Sequence, residues 1–166
     1  DYIMQGSSFD VQTASEETVG DEWNMNMIHS DESTQVETNS KVKVAIIDSG
    51  IDVTEEVNVV KRINLVPGEE ERLPLFEDFL GHGTSVAGII ASEGTETSIE
   101  GVNPNVEIYS AKVLDDMNCA PVSRVIEAIY WAIDNDVDVI NMSFGMSNSS
   151  KALYEAIKEA YNKGIT

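Results

Sequence analysis

The hydrophobic residues that follow Ser40 form short β-branched runs that alternate with longer stretches of helical spacing. The run KVKVAIID at 41–48 ends in a carboxylate and is followed by Ser-Gly, a turn signal, so it predicts a buried strand. Further strands are predicted at 59–66, 106–114 and 136–143. Helices are predicted after Gly81, from Pro121 onward and over 149–163.

Alternating strands and helices predict an α/β domain with a mostly parallel sheet. We expect a doubly wound arrangement of three layers, in which helices cover both faces of the sheet. Ile165 is predicted to begin another strand. Because an inner parallel strand needs a neighbour on each side, we expect the fold to be incomplete in this chain and to continue beyond Thr166.

The first forty residues have a different composition, with nine acidic side chains and neither Lys nor Arg. Residues 1–18 are interpreted as an acidic arm or linker. The domain is predicted to start at residue 19, since Val19, Trp23 and Met27 have the spacing of one face of a short helix.

Composition restricts the possible partners and the cellular setting. The net charge of -20 disfavours nucleic acid and anionic membranes, because phosphate groups would repel the chain. A hydrophobic content of 42% supports a packed core and excludes a wholly disordered chain. The single cysteine, Cys119, excludes an internal disulfide. No apolar run approaches the roughly 18 residues that a membrane span requires.

Two segments carry candidate chemistry. Asp48 lies at the carboxyl end of the most apolar strand, where open parallel sheets bind their ligands. His82 stands between Gly81 and Gly83 at a predicted helix start, where a structural histidine gains little from packing. Taken singly, each residue has an alternative role, Asp48 as a turn or capping aspartate and His82 as a core or capping histidine.

Together these segments resemble the subtilisin-like serine proteases. VAIIDSGID at 44–52 is similar to the segment around the catalytic aspartate of that family, and GHGTSVAGIIA at 81–91 to its histidine segment. INMSFG at 140–145 is similar to the strand that lines its substrate cleft, and the three segments follow in the family's order. The resemblance implies that this chain is the N-terminal half of a subtilisin-like peptidase domain.

The resemblance implies that Asp48 and His82 are two members of an Asp-His-Ser triad in a serine endopeptidase that works through an acyl-enzyme, with no catalytic cofactor. The nucleophilic serine and the oxyanion-hole asparagine are then expected outside this chain, in a C-terminal half or a second chain. Ser85 belongs to a Gly-Thr-Ser sequence, but it lies three residues after His82 on one helix and is assigned to packing. The alternative function is a non-catalytic fragment that binds peptides or regulates.

The resemblance also implies a substrate cleft between two strands. Ser143, Phe144 and Gly145 are similar to the segment that pairs with an extended substrate, and Met117, Asn118 and Cys119 to the facing edge strand. A bound peptide or protein substrate would add a strand between them. Cys119 is interpreted as a small, partly buried side chain rather than a nucleophile.

Many subtilisin-like enzymes bind structural calcium, and one such site would fall in the loop from Ser92 to Glu100. The acidic clusters of the sequence lack the alternating oxygen ligands and central glycine of a calcium loop, so no metal ligand is assigned.

The acidic arm resembles what the removal of a secretory and inhibitory segment would leave, which predicts a bacterial protein of the cell envelope or the exterior. FDVQTASE at 9–16 resembles the leader segments that lantibiotic leader peptidases, a subtilisin-like branch, cut at their carboxyl end. On that resemblance Glu16 or Glu17 lies at a self-processing site, and residues 1–16 are a pro-segment or its remnant.

Overall fold

The computed structural model describes residues 2–4, 28, 41–69, 78–95 and 100–166. The predicted helix over 19–27 and most of the acidic arm lie outside these residues. Among the described residues there are six strands and three helices. In chain order they are β1 (Tyr2–Met4), β2 (Lys43–Asp48), β3 (Val59–Asn64), α1 (His82–Ala91), β4 (Glu107–Lys112), β5 (Cys119–Pro121), α2 (Val122–Asp134), β6 (Val139–Asn141) and α3 (Lys151–Asn162).

Four strands form a parallel sheet in the order β3-β4-β2-β6. Strand β2 therefore lies inside the sheet, paired with β4 on one side and β6 on the other. Its last residue, Asp48, is level with Lys112 at the end of β4. The candidate aspartate thus sits at the carboxyl edge of a central strand, where this class of sheet binds ligands.

Successive residues of β2 pack on opposite faces of the sheet. Val44 and Ile46 belong to a cluster with Ala87 and Ala91 of α1. Ala45 and Ile47 belong to the other cluster, which contains the buried residues of α2 and α3. Because side chains alternate along a strand, one β-branched run supplies both cores. The prediction of a three-layer α/β fold with helices on both faces is confirmed.

The helix boundaries follow from local chemistry. Pro121 precedes the first residue of α2 with φ -68°, and its lack of an N–H costs nothing there. Ser150 caps α3, where its hydroxyl accepts a hydrogen bond from the Leu153 N–H at 3.3 Å. Gly164 follows α3 with φ 88°, a conformation that glycine adopts without strain.

The last predicted strands differ in extent from the structure. Strand β6 begins three residues later than predicted, because Asp136 has φ 51° and cannot belong to a strand. Thr166 lies beside β6, where its N–H donates to Asp138 O at 3.0 Å and its carbonyl accepts from Ile140 N at 2.8 Å. These two bonds are the hydrogen-bond pattern of a parallel pair, formed here by a single residue.

A separate two-stranded sheet joins the N-terminus of the chain to the predicted substrate edge. Strand β1 pairs antiparallel with β5, with Tyr2 opposite Pro121, Ile3 opposite Ala120 and Met4 opposite Cys119. An extended segment of this chain therefore already lies along β5.

Candidate active site

The carboxylate of Asp48 is held in a fixed position at the end of β2. The residue is 1% exposed, and its Oδ1 accepts hydrogen bonds from the backbone N–H of Ser49 at 2.7 Å and from the Ser49 hydroxyl at 3.1 Å. Oδ2 is also buried and has no partner among the described residues. A buried carboxylate with this support cannot rotate freely, so it presents Oδ1 in one direction.

The imidazole of His82 meets that oxygen. His82 is the first residue of α1, and its Nδ1 lies 2.8 Å from Asp48 Oδ1. The His82 side chain is 34% exposed, in contrast to the buried aspartate. With the proton on Nδ1 donated to Asp48, Nε2 is the nitrogen that can accept a proton. The pair therefore has the arrangement of a general base and the carboxylate that orients it.

Close contact between α1 and the end of β2 makes this distance possible. A Cβ added at Gly83 would lie 2.1 Å from the carbonyl oxygen of Gly50 and 3.2 Å from Asp48 Cβ, so only glycine fits there. The Gly83 N–H donates to the Ser49 hydroxyl at 3.0 Å. Gly81, at the helix cap, has φ 70°. Glycine is thus favoured at 81 by the positive φ of the backbone and at 83 by the lack of space for a Cβ.

The edge strand lies two residues later than the sequence predicted. Met117 is in a turn and 83% exposed, and Asn118 has φ 61°, which prevents both residues from extending the strand. The strand is Cys119–Pro121, so Cys119 alone of the three predicted residues belongs to it. Cys119 is free and half-buried, with its Sγ 3.4 Å from Met117 O, in agreement with the predicted small, partly buried side chain.

Ser143, Phe144 and Gly145 follow β6 after one intervening residue, Met142. Phe144 packs against the α2 and α3 core cluster, whereas Ser143 and Gly145 are exposed. The Ser143 hydroxyl donates to Asn141 Oδ1 at 2.8 Å. Gly145 takes part in a β-bridge, and a Cβ added there would meet no atom of the described residues within 4 Å.

Comparison with known proteins agrees with this geometry. The model of the Subtilase family matches residues 39–166. The chain belongs to the subtilase family. Subtilisin E of Bacillus subtilis is 42% identical over 129 residues, which are 77% of this chain and 33% of that protein. The minor extracellular protease Epr of the same species is 32% identical over 146 residues, 87% of this chain and 22% of its own length. The subtilisin of Bacillus pumilus is 42% identical over 129 residues, 77% of this chain and 46% of that protein.

This subtilase chain spans about a third of the length of several relatives that it matches. The match begins 38 residues after Asp1. It contains all four strands of the parallel sheet and the three helices.

Ser85 does not act as a packing residue in this subtilase, contrary to the prediction. It is exposed, and its hydroxyl donates to the carbonyl oxygen of Gly81 at 2.7 Å. Such a bond to the preceding turn is common for serine inside a helix. The hydroxyl thus points back along α1 to its own helix, which does not suit a nucleophile.

In the described part of the predicted calcium loop, Ser92 and Thr95 bond to a carboxylate from outside the loop. Glu56 is buried, and its Oε2 accepts from the Ser92 hydroxyl at 2.8 Å and from the Thr95 N–H at 3.2 Å. Residues 96–99 of this loop lie outside the described residues. In the part of the chain that the structure describes, no group of three or more His, Cys, Asp or Glu could hold a metal ion. Calcium in this loop therefore stays a prediction.

Sequence reasoning missed the residues that fix the start of α1. Asp78, four positions before His82, and Asp52, four positions after Asp48, both bond to the segment that carries the histidine. An acidic residue shortly before a helix start is a capping signal that sequence reading could have found. The pairing of β1 with β5 had no comparable signal. Within the described ranges, no helix is long and apolar enough to cross a membrane.

Proposed function

We propose that Asp48 and His82 are the acid and base members of a catalytic triad, and that the protein carrying this chain is a subtilisin-like serine endopeptidase. One observation carries the proposal, the 2.8 Å contact between His82 Nδ1 and Asp48 Oδ1 with the carboxylate buried and the imidazole reachable. Membership of the subtilase family supports it. Residues 19–166 would then be the N-terminal half of the peptidase domain, with the serine outside this chain.

In this mechanism Nε2 of His82 removes the hydroxyl proton of the serine as its oxygen attacks the carbonyl carbon of the peptide bond. The imidazolium that forms lies against the Asp48 carboxylate, which stabilises the positive charge and keeps the ring in place. His82 then gives the proton to the nitrogen of the leaving amine, and an acyl ester on the serine remains. Water, deprotonated by His82, releases the second product and restores the serine.

The substrate would lie along β5 and the segment 143–145. Support comes from β1, which shows that β5 accepts an extended segment in antiparallel register. Backbone pairing of this type holds a peptide with little dependence on its sequence. In this proposal the cleft is lined by Cys119, Ser143, Phe144 and Gly145. Met117 and Asn118 would contribute from the turn before β5.

The test uses the full-length protein, a peptide substrate and a fluorophosphonate probe that labels activated serines. The parent protein is expected to hydrolyse the peptide and react with the probe. His82→Ala is expected to lose both reactions and to retain peptide binding. Ser85→Ala, on the same helix, is the matched control and is expected to keep both.

A parent protein that binds the peptide without hydrolysis or labelling would overturn the enzyme proposal. That result would support the alternative function, a peptide-binding or regulatory subtilase fragment. The presence of both Asp48 and His82 in bonding contact favours the enzyme, because a binding module needs neither.

A narrower proposal is that the substrate is a leader peptide and that the arm is cut after Glu16 or Glu17. The support is the resemblance of residues 9–16 to such leaders together with the pairing of β1 along β5. Charge opposes it, since the cavity of about 390 Å³ beside the Asp115–Cys119 turn is lined by three carboxylates and one guanidinium. The test incubates the full-length protein with the peptide FDVQTASEET and with a scrambled version of it. Equal cutting of both peptides would overturn the leader proposal.

We propose further that the protein is bacterial and acts outside the cell or in its envelope. The support is the likeness to Epr, whose name describes an extracellular protease. Detection of the protein only in the cytosolic fraction of producing cells would overturn this proposal.

A further inference from the structure

A buried carboxylate, that of Asp78, lies at the start of the helix that carries His82. Asp78 is 5% exposed. Its Oδ1 accepts a hydrogen bond from the Gly81 N–H at 3.0 Å, and its Oδ2 accepts from the N–H of Thr84 at 2.8 Å and the Thr84 hydroxyl at 2.7 Å. Gly81 has no side chain to cap α1, and the first turn contains no acidic residue. Asp78 therefore supplies the negative charge that a helix N-terminus favours.

A second carboxylate links this cap to the segment that follows Asp48. Asp52 Oδ1 accepts a hydrogen bond from the Asp78 N–H at 2.8 Å, and the Asp52 N–H donates to the Thr84 hydroxyl at 3.0 Å. The Thr84 hydroxyl thus accepts from one segment and donates to the other. Asp78, Thr84 and Asp52 form a closed set of hydrogen bonds between the loop after β2 and the beginning of α1.

His82 lies between the points that this network holds. The backbone N–H of Gly81 and that of Thr84 both bond to Asp78, and the N–H of Gly83 bonds to Ser49. The backbone is thus fixed immediately before and after the histidine. The direction of the imidazole depends on this backbone, because the side chain has only two torsions between Cα and the ring.

We propose that Asp78 is a positioning residue for His82, acting through Gly81 and Thr84 and secured by Asp52. The inference rests on the proposed function, in which His82 is the general base. Asp78 does not touch the reacting atoms. It sets the angle at which Nδ1 meets Asp48 and therefore the direction in which Nε2 faces the serine.

The most direct test of this proposal is the substitution Asp78→Asn in the full-length protein. The asparagine keeps one acceptor oxygen, but its NH2 group would face either the Gly81 N–H or the two donors of Thr84. At least one bond is lost and two donors come into contact. A displacement of the base by about 1 Å costs on the order of 10²-fold in rate, so kcat is expected to fall between tenfold and a hundredfold with KM little changed.

Thr84 provides a matched pair of variants. Thr84→Val keeps the shape of the side chain and removes the hydroxyl that joins Asp78 to Asp52. Thr84→Ser restores a hydroxyl and is expected to restore kcat. This pair also keeps the proposal testable if Asp78→Asn does not fold.

A second readout follows His82 without the need for turnover. The proton on Nδ1, bonded to Asp48, gives a low-field NMR signal that depends on the length and angle of the bond. We expect this signal to move or broaden in Asp78→Asn and Thr84→Val and to return in Thr84→Ser. If the parent protein does not hydrolyse peptides, the proposed function fails, whereas the NMR comparison still decides whether Asp78 positions His82.

A purely structural role for Asp78 predicts another result. Both Asp78→Asn and Thr84→Val would then melt at lower temperature but retain the parent kcat and the parent NMR signal well below their melting points. That combination would overturn the proposal.

Discussion

His82 Nδ1 and Asp48 Oδ1 are 2.8 Å apart although the two residues are 34 positions apart in the chain. The aspartate is fixed at the end of the central strand, and the histidine is fixed at the start of the helix that packs on one face of the sheet. Both residues thus lie at the ends of regular elements, which hold the carboxylate and the imidazole in contact.

Replacement of Asp48 by Asn tests the role of its charge. The amide has nearly the same shape, but its NH2 group cannot accept the Nδ1 proton, and its oxygen carries no charge to stabilise an imidazolium. We expect kcat to fall by roughly 10⁴-fold, as for comparable triads. Asp134→Asn, at the exposed end of α2, is the control, and equal activity of the two variants would exclude a triad.

Two glycines of α1 provide a matched pair for stability. Gly83→Ala puts a Cβ 2.1 Å from Gly50 O, so the helix must shift, and we expect a loss of about 1–3 kcal/mol in the free energy of unfolding together with lost activity. A Cβ at Gly88 meets no atom of the residues that the structure describes within 4 Å, so Gly88→Ala is expected to raise stability by about 0.5–1 kcal/mol through helix propensity. Urea denaturation measures the free energy of unfolding of both variants. An unchanged free energy of unfolding in Gly83→Ala would show that α1 does not pack tightly against the end of β2.

Strand β1 is expected to compete with peptide for β5. Ile3→Pro removes the N–H of the central residue of β1 and should release the strand, so that peptides bind more tightly and KM falls. Ile3→Val keeps strand propensity and is the control. Both Ile3 variants are combined with His82→Ala, so that fluorescence titration with a labelled peptide measures affinity without hydrolysis. Equal affinity in the proline and valine variants would show that β1 and substrate do not share the edge.

The contact between α2 and α3 predicts a pH effect. The Tyr130 hydroxyl donates to Glu159 Oε2 at 3.0 Å, and this hydrogen bond is the main cause that raises the pKa of Tyr130 above its ordinary value of 10.0. Because the folded pKa is raised, the bond stabilises the fold below pH 10 and is lost as pH rises through the folded pKa. In NMR titrations, Glu159→Gln should lower the pKa of Tyr130, whereas Glu155→Gln, which acts only through its charge, should lower it less. An equal pKa of Tyr130 in the parent and in Glu159→Gln would contradict the hydrogen bond between Tyr130 and Glu159.

The sequence by itself determined the fold class through its periodicity, and it pointed to the two chemical segments through their resemblance to the subtilisin-like proteases. The short apolar run at 44–47, rich in β-branched residues and followed by a turn signal, predicted a strand buried on both faces, and the glycines beside His82 predicted a helix start close to neighbouring backbone. These features follow from local periodicity and from residue types whose conformational limits are known.

Tertiary structure alone decided which atoms meet. Pattern reading could not show that β5 begins at Cys119, because the positive φ of Asn118 arises in a tight turn at a residue that also tolerates ordinary conformations. Nor could it bring Asp52 and Asp78 to the same hydroxyl of Thr84, or β1 to β5 across more than a hundred residues. Hydrogen bonds between distant segments depend on how the sheet and helices pack, and no local pattern encodes that packing.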